Sequence, residues 1–264
     1  MTTGTQAADP LLGGSPGGVP PRRRGLWIAV AVLTAVVVLV PAGIRTWGKI
    51  DQTTSSVSHD FGPASRLTVE VGSGQAVIRA GAPGQVNLRA TMTWSIVRPV
   101  IRWTWAGGRV LSISVHCGPR VPLPVADVLG SGCWGIRLQL TVPATLPVTA
   151  TADAGEIMAQ GLAGPLYLTA STGEVQGTRL ASPRVTAAVS SGDASLQFAR
   201  SPSMVSVAVG SGSTEITVPG RSRYRVSHQV GSGSVTIASG LAWGSAPGRI
   251  GVNVGSGSAS VGYP

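Results

Sequence analysis

Beyond residue 64 apolar and small or polar residues alternate. Val205, Val207 and Val209 are separated by single residues, as are Ile216 and Val218, Val235 and Ile237, and Val252 and Val254. Side chains on a strand point to alternate faces, so each run predicts a strand with one buried face. Between the runs lie short Gly-Ser segments that supply the backbone freedom for a tight bend.

The bends repeat. Ala154-Gly155-Glu156-Ile157, Thr172-Gly173-Glu174-Val175 and Ser191-Gly192-Asp193-Ala194 are followed by Gly210-Ser211-Gly212-Ser213, Gly231-Ser232-Gly233-Ser234 and Gly255-Ser256-Gly257-Ser258. The marker glycines Gly155, Gly173, Gly192, Gly212, Gly233 and Gly257 are spaced by 18, 19, 20, 21 and 24 residues, and a seventh copy at Gly74 stands alone. A strand, a glycine bend, a second strand and a return in about twenty residues describe one coil of a stacked array. The expected fold is all-β: a β-solenoid, akin to a parallel β-helix, with Val and Ile in a dry central column. A β-sandwich with evenly spaced hairpins is the alternative.

An insertion, 82–147, separates the first copy from the rest. In it Val100–Ala106 faces Arg109–Val115 across Gly107-Gly108, a strong hairpin signal. A further strand is expected at Ile136–Val142. The insertion is read as a cap over one open end of the stack, since exposed sheet edges need cover.

The pattern changes upstream. Gly25–Ile44 holds twenty uncharged residues, ~30 Å as a helix, enough to cross a bilayer core. Arg22-Arg23-Arg24 before it favours a cytoplasmic N-terminus. This divides the chain into a disordered cytoplasmic tail (1–24), a transmembrane helix (25–44), a linker (45–64) and an extracytoplasmic domain (65–264). A cleaved signal peptide is the rival, with small residues around Val40-Pro41-Ala42.

Composition narrows the class. Of 264 residues 37 are Gly and 19 Pro, only 11% are charged and 43% are hydrophobic, which excludes a coiled coil and argues against disorder through most of the chain. Nineteen of the 20 basic residues are Arg. From Asp51 onward 15 Arg face nine acids, so the outer domain is basic and attracted to anionic lipid headgroups or wall polymers; nucleic acid is not expected on that side of a membrane. Cys117 and Cys133, the two cysteines, are expected to form a disulfide in an exported domain.

Leu140-Thr141-Val142-Pro143-Ala144-Thr145-Leu146-Pro147-Val148, together with the Gly-acidic-aliphatic repeats at Gly155, Gly173 and Gly192, resembles the DUF4097 family of bacterial proteins labelled putative adhesins. The resemblance covers roughly 65–264. It implies a β-solenoid-like extracytoplasmic domain at the cell envelope and no catalytic residues. Ser213, Ser234 and Ser258 stand where that family tends to carry an acid.

Catalytic motifs are weak. Gly43-Ile44-Arg45-Thr46-Trp47-Gly48-Lys49-Ile50 has phosphate-loop spacing, but Ile50 replaces the magnesium-binding hydroxyl. Leu146-Pro147-Val148-Thr149-Ala150 is similar to a sorting signal but is internal. His116 and Cys117 are neighbours, so a strand turns them to opposite faces. Asp153, Glu156, Glu174 and Asp193 could form a carboxylate ladder along one edge; solvated turn residues are the simpler reading. No cofactor or metal is expected.

The candidate ligand surface is Trp94, Arg98, Arg102, Trp103, Trp105 and Arg109, with Trp134 nearby, because flat aromatics and guanidinium groups stack on sugars or hold anionic polymers. The alternative is that these indoles pack the cap onto the stack. The functional expectation is a membrane-anchored, non-catalytic binding or adhesin-like module. A polysaccharide-acting enzyme using a carboxylate pair and a self-assembling surface protein are the alternatives.

Overall fold

The computed structural model describes Gly25, residues 27–36, 53–94, 98–117 and 133–264, the side chains of Cys133 and Trp134 excepted. The chain divides into two units, Met1–Thr46 and Trp47–Pro264. In the first, residues 27–36 are helical and exposed, and the Thr34 hydroxyl donates to the Val30 carbonyl one turn back (2.8 Å). Among the described residues no helix is long and apolar enough to cross a membrane. Much of the span expected over 25–44, the arginines before it and the segment 43–50 lie outside the described residues.

The second unit is built of strands: β1 (Thr53–Phe61), β2 (Arg66–Gly81), β3 (Val86–Trp94), β4 (Pro99–Ala106), β5 (Val110–Cys117), β6 (Cys133–Pro143), β7 (Val148–Gln160), β8 (Leu166–Leu180), β9 (Arg184–Phe198), β10 (Met204–Thr217), β11 (Tyr224–Ile237) and β12 (Gly248–Gly262). They form one continuous sheet that does not close into a barrel.

From β2 through β7, β8, β9, β10, β12 and β11 every neighbouring pair is parallel. The register is set by the alternation seen in the sequence. Leu67, Val148, Leu166, Val185, Val205 and Ile250 lie level with one another, as do Val69, Ala150, Leu168, Ala187, Val207 and Val252. All twelve are buried. The marker glycines fall into one row: Gly74, Gly155, Gly173 and Gly192 pair in sequence, as do Gly212, Gly257 and Gly233. At this row each strand turns, so that Ile157, Val175, Ala194, Ile216 and Val261 continue the same core after the bend.

The row requires glycine for two reasons. Each of the seven has φ between 126° and 150°, which side chains with a Cβ rarely adopt. In addition, a Cβ on any of the last six would collide with the carbonyl oxygen of the glycine on the adjoining strand.

At the β2 end the stack splits. The first half of β2 pairs with β5, which carries β4 as an antiparallel hairpin, and the second half pairs with β6, which carries β3 and then β1. The hairpin turn is Gly107-Gly108, with φ of 57° and 68°, as a tight right-twisting turn requires.

Two elements differ from the sequence reading. Thr53–Phe61, expected to be linker, is a strand, because Val57 and Phe61 turn toward the core while serines and threonines hide the alternation. The last two strands are also exchanged in space: β12 sits between β10 and β11, leaving β11 at the end of the sheet. The inward positions of β11, Val226, Val230, Val235 and Ile237, are accordingly only half-buried.

Candidate functional site

The six candidate surface residues do not form one patch. Trp103 and Trp105 share a face of β4, at the sheet's edge, and are 41% and 39% exposed. They meet residues of β1 where the stack splits at the β2 end. His59 stacks on Trp103 at 4.9 Å with an interplanar angle of 21°, and Phe61 meets Trp103 and Trp105 edge-on at 5.9 and 6.4 Å. These indoles therefore plug the open end of the cap on one side and face solvent on the other. His59 and Phe61 lie in the segment expected to be linker, and their alternate spacing among the serines and threonines of β1 is the sequence signal for them.

Arg102 lies on the opposite face of β4, level with Ser114 and exposed. Arg109 closes the hairpin: its amide donates to Ala106 and its carbonyl accepts from the Ser65 amide (2.8 Å) and hydroxyl (3.1 Å). Trp94 and Arg98 form a separate pair, the guanidinium 5.4 Å from the ring centre, a cation–π contact. The Trp134 side chain lies outside the described residues.

Cys117 ends β5, packed against the core, and is disulfide-bonded. His116 is exposed on the other face of the strand, so a Cys–His dyad is not assembled.

A second concave feature follows the glycine row. A cleft of about 890 Å³ is lined by Gln75, Arg137, Gln139, Glu156, Glu174, Asp193 and the ladder glycines. Glu156, Glu174 and Asp193 stand level on successive strands. Asp153 does not join them, since it precedes the bend and faces the other outer surface. Gln75 donates to Glu156 Oε2 (2.6 Å). Asp193 Oδ1 accepts from the Ser213 amide (2.8 Å) and hydroxyl (2.5 Å), and these bonds, the hydroxyl first, hold its carboxyl below the ordinary value against a small opposing effect of burial.

Carboxylates one strand apart, ~4.8 Å, approach the separation of a retaining glycosidase pair, but such a pair needs an acid with a raised pKa. Asp193 moves the opposite way. Among the described residues no group of three His, Cys, Asp or Glu could hold a metal ion.

No protein-family model and no curated protein matches the chain, so membership of the resembled family is not shown. Several solved structures are similar to it. A putative cell adhesion protein from Clostridium sporogenes is 12% identical with a TM-score of 0.47, covering 80% of this chain and all of that one. A putative adhesin from Bacteroides fragilis is 7% identical with a TM-score of 0.43, covering 79% and 97%. A putative lipid binding protein from Parabacteroides distasonis is 10% identical with a TM-score of 0.33, covering 78% and 96%.

Proposed function

We propose that this chain is a single-pass membrane protein whose residues 65–264 form a β-solenoid outside the cell and act as a non-catalytic, adhesin-like binding module of the envelope. The anchor is the uncharged stretch 25–44, with the Arg triplet holding the N-terminus in the cytoplasm. The coils are the parallel strands stacked along the glycine row, and the cap is the pair of layers around β4 and β1.

The observation that carries the reading is the Trp103–Trp105 pair. Two indoles on one face of an edge strand, already ordered by His59 and Phe61 and each about two-fifths exposed, present a flat platform that loses little freedom on binding. Sugar rings of envelope polymers fit such a platform, and Arg102 and Arg98 add positive charge around the cap.

Co-sedimentation of residues 47–264 with an insoluble bacterial wall fraction tests this. Trp105→Ala should reduce retention at least tenfold with little change in melting temperature. Full retention by Trp103→Ala and Trp105→Ala alike would remove the platform from the function.

A further inference from the structure

We propose that the first-half face of the stack at the β11 end is a docking surface for an anionic lipid bilayer. Four side chains form one row where the chain enters successive coils. Arg184 of β9, Met204 of β10, Arg249 of β12 and Arg225 of β11 are level by strand pairing, which places them ~4.8 Å apart. All four are exposed. Arg223, two residues before Arg225, lies 4.9 Å over the ring of Trp243.

Like charges side by side on a sheet repel, and nothing here neutralises them. Among the described residues none of these arginines has a carboxylate partner, and Arg225 uses its Nε on the Ala246 carbonyl (2.9 Å). From Ala194 to Pro264 the sequence holds five Arg and one acid, Glu215, and Glu215 lies beyond the bend on the other outer face. On the first-half face the acids nearest the row are Glu70, three strands away from Arg184 and by register four residues further along, and Asp153, two strands away and six residues further along, each about 20 Å off. The neighbouring outward positions, Thr186, Ser206, Gly251 and Ser227, are short, so the guanidinium groups of Arg184 and Arg249 stand clear of the sheet.

Charge alone would suit any polyanion. The apolar members decide for a bilayer. Trp243 is 53% exposed and Met204 39%, and both sit among the arginines. An indole with a cation at its face is the arrangement favoured at the headgroup level, where one side meets phosphates and the other the acyl boundary. A soluble phosphate polymer offers the indole and thioether nothing apolar.

Among the described residues the core of this unit is drawn from between Phe61 and Tyr263, so residues 47–264 can be tested without the apolar stretch. Flotation with vesicles of equal parts phosphatidylglycerol and phosphatidylcholine is the measurement. The wild type should float with them, not with phosphatidylcholine alone, and be released at about 0.5 M salt, where exposed charges are screened within a few ångströms. Arg184→Gln and Arg249→Gln should each lower the partition coefficient about fivefold. Trp243→Ala should weaken binding while leaving its salt dependence in place.

Equal partition onto both vesicle types would overturn the proposal. So would unchanged binding by the Arg184→Gln/Arg249→Gln double variant, or retention by soluble polyphosphate without vesicle binding. The substituted side chains point to solvent, so the variants should melt with the wild type. Trp105→Ala should keep vesicle binding, which separates this surface from the platform on the cap.

Discussion

Gly212 stacks on Gly192 so closely that a Cβ on Gly212 would overlap the Gly192 carbonyl oxygen. The contact recurs up the row and explains why the repeat tolerates Glu, Asp or Ser after the marker but never a side chain at it. Replacing Gly212 or Gly192 by Ala combines a positive φ with a backbone clash, and should cost about 3 kcal/mol or more. Gly240 also has a positive φ, 78°, but open space where a Cβ would stand. Gly240→Ala should therefore cost only about 1 kcal/mol. Urea titrations of the three variants separate clash from conformation; equal losses would mean that φ alone dictates the row.

Thr214 occupies an inward position level with Ala194 and Ala259. It is 2% exposed, and its hydroxyl has no partner. A buried donor without an acceptor is destabilising, and an isosteric apolar group removes that cost. Thr214→Val should stabilise the domain by about 1 kcal/mol, raising the melting temperature by about 2–4 °C for a unit of this size. By contrast, Val207→Asp or Ile216→Asp puts an unpaired charge into the same core and should unfold it. A lower melting temperature for Thr214→Val would show that the hydroxyl is satisfied.

Much of the architecture was legible in the sequence because two physical constraints mark the same positions. The alternation of Val205, Val207 and Val209 fixed the inward face, and the glycines fixed the bends. The exchange of β11 and β12 was not legible, because parallel strands with equivalent rows fit at either level. In retrospect the polar inward residue His228 and the longest step, 24 residues from Gly233 to Gly257, mark an end coil and a longer connection. The candidate surface failed for a related reason: period-two spacing put Trp103 and Trp105 together, but nothing local announced His59 and Phe61 opposite them.

The exchange has a consequence for truncation. β12 pairs with β10 along one edge and with β11 along the other, so the C-terminal strand is internal. Deleting Gly248–Pro264 should strip β11 of its only full-length partner and expose Val205, Val207 and Val209. Hydrogen exchange should then show β11 amides unprotected and β10 weakened, while β7 and β8 remain slow. Uniform loss of protection would mean that the stack folds as one cooperative unit.

Asp193 gives the domain a small acid dependence. The Ser213 bonds lower its folded-state pKa, so they favour the ionised folded form. That stabilisation is complete above the unfolded value, about 3.9, and is lost as pH falls through the lowered folded one. Because the carboxylate is exposed, the effect should be only a few tenths of a kcal/mol. Wild type should lose that much more than Asp193→Asn between about pH 5 and pH 2. Parallel stability curves for the two would show that the Ser213 bonds do not persist in solution.

Topology brings the two cysteines to one end of the cap. Cys117 pairs with Pro99 on β4 and Cys133 with Trp94 on β3, and Trp94 and Pro99 are five residues apart. Cys117 is disulfide-bonded, and Cys133 is the chain's other cysteine. We expect a bridge between them; closing a loop of 16 residues, it should contribute about 3 kcal/mol in the chain-entropy model. Reductant should lower the melting temperature of residues 47–264, and Cys117→Ser/Cys133→Ser should melt at the reduced value and no longer respond to reductant. If both thiols of the oxidised protein alkylate before unfolding and melting is unaffected by reductant, the two cysteines are not bridged to each other, and the cap is held by its strand pairing and its aromatic plug alone.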